Sequence, residues 1–432
     1  RAEDLPVAVS AEGVWITDIE GRRYLDACAG AVVNGVGHGR REVAEAIARQ
    51  LATLDYVHAH SFTSPIVEEY AFRLAARLPV PDARVFPVSG GSEATETALK
   101  LARSYHLAKG AESRTVVLSR WGSYHGNTIG ALDVSGREGL RRGYEPWLGR
   151  FAHVPAVNEY RCPNDAHPHG CADWHAERLE QAILEIGSER VAAFVAEPIG
   201  GATLGAAVPP EGYWEAVIRV CRRHDVLVIA DEVMTGFGRT GEWFAIEHFL
   251  PSPAVAPDIV VMAKGASSGY WPLGICAASG EVADTADPVF DHGYTYSHHP
   301  GGAAAGLAVL DILESESLIA RSAALGARLK AMVASTLGSH PNVGDVRGRG
   351  LLVGIEFVAD RDDKRPFPAS ERLVERLRTA AIARGVIPYP VSGCADGADG
   401  DGLLLGPPLT VTEDELTVIV SGIAGAVGDV LG

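Results

Sequence analysis

A lysine closes an almost continuous apolar run in "DIVVMAKGASSGYWPLG" (258–274), where Lys264 stands against a glycine. A surface charge has no reason to end a buried strand. A lysine stripped of water loses basicity and becomes a nucleophilic amine, suited to condensing with an aldehyde. Asp231 and Glu232 end a second apolar run, "VLVIADEVMTGFGRTG" (226–241). A carboxylate there is either hydrogen-bonded scaffolding or the ionised partner of a buried cation. Glu197 ends a third run, "AFVAEPIGG" (193–201). In "SGGSEATETALKLA" (89–102), Gly90 and Gly91 permit a tight turn and Ser92 opens a helix. Free N–H groups at such an end favour a phosphate, although Ser92 with Glu93 also reads as ordinary capping. Tyr124 and His125 in "WGSYHGNT" (121–128) offer flat rings, either for a cofactor face or for core packing.

These residues fall at the ends of short apolar runs that alternate with helical patterns. Runs at 83–88, 114–119, 191–198, 226–232 and 258–264 read as strands. A helix over 92–109 repeats Ala94, Ala98, Leu101, Ala102 and Tyr105 at helical spacing, and another spans 211–225. Solidly apolar strands separated by helices predict an α/β fold, with a mostly parallel sheet covered on both faces and ligands at the C-terminal strand ends. After about residue 300 the pattern becomes α+β, with helices at 301–315, 317–335, 369–385 and from 412, and a strand pair around "GLLVGIEFVAD". The expected division is an N-terminal segment (1–50) packing with the small domain, a large domain (51–300) and a smaller α+β domain (301–432). The Gly- and Asp-rich stretch "VSGCADGADGDG" (391–402) is expected to be mobile. A structural salt bridge is the simplest account of Lys264 and Asp231. Pyridoxal phosphate requires a lysine, a carboxylate facing its pyridinium nitrogen, and a phosphate cradle, and all three are present.

The motifs "SGGSEATETALKLAR", "YHGNTIGAL", "AEPIGG", "IADEVMTGFGRTG", "MAKGASSGYWPLG" and "HGYTYSHHP" stand in the order and spacing of the class III (ω-type) aminotransferases. The chain resembles that family over roughly residues 15 to 425. The resemblance implies a fold type I pyridoxal-phosphate enzyme, with Lys264 as the Schiff-base lysine and proton carrier and Asp231 keeping the pyridine nitrogen protonated. It makes Tyr124 the aromatic stacked on the ring, with His125 beside it and Glu197 close by. Gly91 and Ser92 match the phosphate cradle. Thr295 matches a threonine that reaches the phosphate of the neighbouring subunit's cofactor, which implies a homodimer, with pairing into tetramers left open. The implied reaction moves an amino group from an amine or ω-amino acid to a 2-oxo acid such as pyruvate, through a pyridoxamine form. A racemase, aminomutase or decarboxylase of the same fold would use the same lysine, aspartate and phosphate loop.

Four departures from the family pattern bear on substrate. Met234 stands where many relatives place a glutamine that contacts the cofactor, and His298 where glycine is usual. No arginine lies between 385 and the C-terminus, and Leu404 and Glu413 occupy the region where many relatives carry one for a substrate carboxylate. Arg347 and Arg349, in "VRGRGLL", read as structural. Ala31 and Val32 are small where some ω-transaminases carry a bulky aromatic, and Tyr56 is a further candidate wall of the substrate pocket. "RCPNDAHPHGCADWH" (161–175) gathers Cys162, His167, His169, Cys171 and His175. Its spacing fits no common zinc pattern, and a similar insertion forms a surface excursion in a subgroup of the family, so no metal is expected.

The formal charge of −17 argues against nucleic acid and anionic membranes as partners. The most apolar window, "VAAFVAEPIGGATLGAAVPP", carries Glu197 and three prolines and cannot be a membrane span. Six cysteines in 432 residues do not resemble a disulfide framework. The opening "RAEDLPVAVS" has neither an apolar signal core nor an initiating methionine, which implies a trimmed start and a cytoplasmic chain. No attached DNA-binding domain is found, and no G-x-G-x-x-G both follows a strand and opens a helix, which disfavours a cofactor-binding regulator and a nicotinamide dehydrogenase.

Overall fold

In the computed structural model, which describes residues 5–162, 170–251 and 255–432, three sheets carry the chain. The N-terminal strands β1 (Ala8–Glu12), β2 (Trp15–Asp18) and β3 (Arg23–Asp26) form antiparallel pairs. The central sheet follows with β4 (Arg84–Val88), β5 (Val116–Arg120), β6 (Ala152–Val154), β7 (Val191–Ala196), β8 (Leu227–Asp231), β9 (Ile259–Met262) and β10 (Gly274–Ala278). Its spatial order is β4-β10-β9-β8-β7-β5-β6. Strands β5 to β9 pair in parallel, and β7, β8 and β9 are buried at every position. Apolar runs without alternation are what a sheet covered on both faces requires. The helix Gly91–Ala108 turns Ala94, Ala98, Leu101, Ala102 and Tyr105 inward, as their spacing predicts.

One strand reverses. Sequence reasoning found no strand after Lys264, yet β10 runs there, antiparallel to both β9 and β4. The connection over 263–273 has only a short 3₁₀ turn and holds no crossover helix, so the chain must fold back beside β9. Lys264 sits in that fold-back.

The third sheet comprises β11 (Val343–Arg349), β12 (Leu352–Phe357), β14 (Tyr389–Ser392) and β15 (Asp401–Leu405), all antiparallel, while β13 (Val386–Ile387) pairs in parallel with β3. The stretch 391–402 is not the loose segment its composition suggests. It is a hairpin tip tied by Gly393 N–H to Gly400 O (2.7 Å) and Ala395 N–H to Asp399 O (3.1 Å), with Cys394 buried beneath it. Local turn hydrogen bonds and one buried side chain outweigh the entropy of a glycine-rich sequence here.

Arg347 shows how the C-terminal sheet meets the central one. Its buried guanidinium donates to the carbonyls of Leu204 and Gly205 and pairs with Asp345 and Glu356. Nearby, backbone approaches backbone so closely that only glycine fits. A Cβ on Gly326, inside the helix Leu318–Leu337, would lie 1.9 Å from the carbonyl carbon of Gly350. Gly326→Ala is therefore expected to cost about 1–3 kcal/mol through forced backbone shifts. It should appear as a lower midpoint of thermal inactivation, and an unchanged midpoint would refute that packing.

Candidate active site

Asp231 and Glu232 are neighbours on the end of β8, and the alternation of a strand separates their roles. Glu232 is 0% exposed and points into the scaffold. Its carboxylate accepts from the N–H groups of Ala245 (3.0 Å) and Ile246 (2.8 Å) and from the Thr235 hydroxyl. Burial raises it to about 7. Asp231, 2% exposed, accepts from Val233 N–H at 2.9 Å through Oδ1, and its Oδ2 lies 2.6 Å from Nδ1 of His125. His125 is itself fixed from three sides. Its N–H donates to the Ser135 hydroxyl, its carbonyl accepts from Thr95, and its ring meets Asp231. Sequence reasoning placed this ring beside the cofactor; its bond to Asp231 joins two segments far apart in the chain and has no local signature.

Lys264 follows β9, the strand that pairs with β8. Its backbone is left-handed (φ +42°), a region that costs a lysine roughly 1–2 kcal/mol. Desolvation lowers its pKa to about 8, against the opposing pull of Asp231 and Glu197. Glu197, 6% exposed just beyond β7, accepts from Gly201 N–H at 3.1 Å through Oε1. Its Oε2 is buried without a protein partner, and burial raises its pKa. The Nε2 of His125 is likewise unpartnered. The Met234 thioether packs at Gly201, where an added Cβ would come within 2.8 Å of Sδ and 3.0 Å of Glu197 Oε1.

Across the strand ends the helix Gly91–Ala108 begins with no side-chain cap. Ser92 does not cap it: its hydroxyl accepts from Asn127 N–H (3.0 Å), while Glu93 accepts from Ser89 N–H (2.8 Å). The first-turn N–H groups at Gly91 and Ser92 are therefore left for an anion. Tyr124 is half-buried beside His125, and burial raises its phenol.

The outlying candidates separate. Val32 is buried, in a cluster with Ile199, Leu352 and Leu404, whereas Ala31 is exposed. Both sit in a turn with Ala29 (φ +49°), Gly30 (φ +72°) and Val32 (φ +58°) all left-handed. Asp26 holds that turn by accepting from Gly30 N–H (3.0 Å), and its other oxygen lies 3.0 Å from His38 Nε2. Ser268, four residues beyond Lys264, was missed by sequence reasoning. Its buried hydroxyl oxygen accepts from the N–H groups of Gly35 (2.8 Å) and Val36 (2.9 Å). Arg239, also missed, donates to Leu351 O and Pro407 O, fastening the C-terminal segment to the β8 loop. Thr295 is exposed, with its carbonyl accepting from the Tyr56 hydroxyl at 3.1 Å. His298 has φ +59°, which explains why glycine is favoured there.

His167 and His169 lie outside the described residues. Cys162 and Cys171 are bonded as a disulfide, one local pair that the count of six cysteines did not point to. Its partners are nine positions apart and the other four cysteines are free and buried, which is why composition gave no sign of it. Among the described residues no helix is long and apolar enough to cross a membrane.

The family model for aminotransferase class III matches residues 2–427. The chain belongs to the class III aminotransferases. A thermostable (S)-enantioselective ω-transaminase from Thermomicrobium roseum superposes with a TM-score of 0.93 at 41% identity, covering 100% of this chain and 94% of that one. The putrescine–pyruvate aminotransferase of Pseudomonas aeruginosa is 35% identical, covering 96% of this chain and 89% of its own length. The taurine–pyruvate aminotransferase of Bilophila wadsworthia is 36% identical, covering 96% and 91%. The fold is that of the fold type I transaminases, and the reaction is transamination dependent on pyridoxal phosphate. The residues present fit that cofactor. An uncapped helix N-terminus suits its phosphate, and a lysine held near neutrality stands beside a buried carboxylate and two orphaned polar atoms.

Because burial holds Lys264 at about 8, its amine is uncharged above that value and ammonium below it. The rate at which cofactor-free chain takes up pyridoxal phosphate is expected to fall about tenfold per pH unit below 8. A rate still flat down to pH 6, followed by the visible absorbance of the bound cofactor, would contradict this.

Proposed function

We propose that the donor is an amine without an α-carboxylate, such as an ω-amino acid, a diamine or a simple primary amine, and that pyruvate is the acceptor. One observation carries this reading. Neither arginine nor lysine follows Arg384, and Leu404, in the region where many relatives hold an arginine, is 0% exposed. A bidentate arginine is the usual partner of a substrate carboxylate, and a buried leucine cannot replace it. The named donors of the two related aminotransferases, putrescine and taurine, carry no carboxylate, and both enzymes are named for pyruvate.

Bound pyridoxal phosphate supplies an aldehyde for an amine and a protonated ring that draws electrons from the substrate carbon. The chain does the rest. Lys264 anchors the cofactor and, once released by the donor, carries the proton away from the substrate carbon. Asp231, oriented by His125, holds a proton at the ring nitrogen. Gly91 and Ser92 cradle the phosphate, Tyr124 covers the ring, and Glu197 and Met234 border it. Ala31, Val32 and Tyr56 shape the substrate side, with Val32 acting from beneath through packing.

The working unit in this reading is a homodimer in the cytoplasm. Thr295, exposed in the single chain, reaches the partner's phosphate, and the exposed ring of Tyr296 packs edge-on against Tyr56 on the same face. The division into residues 1–50, 51–300 and 301–432 belongs to the same proposal and is supported by the separate central and C-terminal sheets.

A half-reaction tests the donor class. Mixed with amines and amino acids in the absence of a keto acid, the enzyme should lose its visible cofactor band with putrescine, taurine or simple amines, and pyruvate should restore it. Bleaching confined to α-amino acids would overturn the donor assignment. Lys264→Ala is expected to abolish both the band and turnover, and normal turnover would sink the role given to it. Asp231→Asn should retain cofactor but lose most of the rate.

A further inference from the structure

Between β6 and β7 lies a group of side chains that the transamination does not use. The helix Gly170–Ile186 sets Cys171 and His175 four residues apart, on one face. Cys162 follows the short 3₁₀ turn Glu159–Arg161 and stands opposite, its Cα 6.8 Å from that of Cys171. One donor atom from each of Cys162, Cys171 and His175 lies within 4.8 Å of the others. His175 is 4% exposed, its ring edge-on to Trp174 and Tyr213, while both cysteines keep partial access to solvent. The imidazole is thus fixed in place, and the sulfurs can be reached by a reagent.

We propose that the Cys162–Cys171 bond is a reversible cover over a zinc site, completed by His175 and open only in the reduced chain. Reduction by two equivalents of a monothiol delivers two electrons and two protons to the sulfurs, and the reductant leaves as its own disulfide. A zinc ion then displaces both thiol protons to solvent and is held by two thiolates and one imidazole nitrogen, with water in the fourth position. Tetrahedral zinc bonds of about 2.3 Å to sulfur need the two sulfurs about 3.8 Å apart, and breaking the S–S bond lets them separate by side-chain rotation between Cα atoms 6.8 Å apart. Thiolate and imidazole donors select zinc over magnesium or calcium.

The other cysteines do not compete. Cys28, Cys221, Cys276 and Cys394 are buried singly, and burial pushes their thiols up, to about 12 for Cys276 and Cys394. Either closure, covalent or metal, fastens the helix start to the turn that carries Arg161. That arginine reaches across to Glu356 of β12 and to Lys364 O. The attachment therefore survives a change from oxidising to reducing surroundings, provided zinc is present.

Holoenzyme would be reduced with excess monothiol, freed of it anaerobically, equilibrated with zinc chloride by dialysis and analysed for metal. Oxidised holoenzyme and the Cys171→Ser, Cys162→Ser and His175→Gln variants would be treated alike. The reduced wild type should bind about one zinc per chain more than the oxidised protein or either serine variant. His175→Gln should bind at least about tenfold more weakly. Thiol titration of unfolded protein should count six sulfhydryls after reduction and four before it. All variants should keep the cofactor band and wild-type turnover, which distinguishes loss of zinc from failure to fold. Equal zinc in reduced wild type and both serine variants would overturn the site, and undiminished affinity in His175→Gln would overturn the three-donor set.

Discussion

A half-buried, partly desolvated lysine governs this molecule. An ammonium group that could reach solvent freely would stay charged and inert, so the chain has to bring Lys264 to the mouth of a fully apolar sheet and keep it there. The end of β9, paired with β8, does this. Lys264 follows β9 directly, in a left-handed turn beside Asp231. Backbone strain and desolvation both oppose folding at this point, and the large buried sheet behind them offsets the cost.

The same apolar strands made most of the architecture readable from sequence. Uninterrupted runs at β7, β8 and β9 report a sheet covered on both faces, and each run leads into a residue proposed for the chemistry, Glu197, Asp231 or Lys264. The helix Gly91–Ala108 was legible through its spacing. What escaped depends on partners distant in sequence. The His125–Asp231 bond joins residues over a hundred positions apart, and Ser268 answers backbone N–H groups more than two hundred positions away. The β10 reversal escaped because a short apolar run carries no mark of its direction. The order in 391–402 escaped because composition reports unfolded-state entropy and not the turn bonds that overcome it.

Charge is distributed by the same logic. Arg347, Arg239 and Arg120 are buried, and each donates to backbone carbonyls, Arg347 pairing with Asp345 and Glu356 as well. They act as rivets between segments.

Ser268 has one more implication. The serine lies on the turn that positions Lys264, and its single oxygen holds the strained N-terminal segment containing Ala31 and Val32. The proposed substrate wall and the proposed Schiff-base lysine thus share one mounting. Reshaping that wall for bulkier amines is therefore an operation on the lysine's orientation as well as on volume. Substitutions at positions 31 and 32 will be epistatic with those from 264 to 268, and libraries built on the two stretches separately will misjudge what they do together.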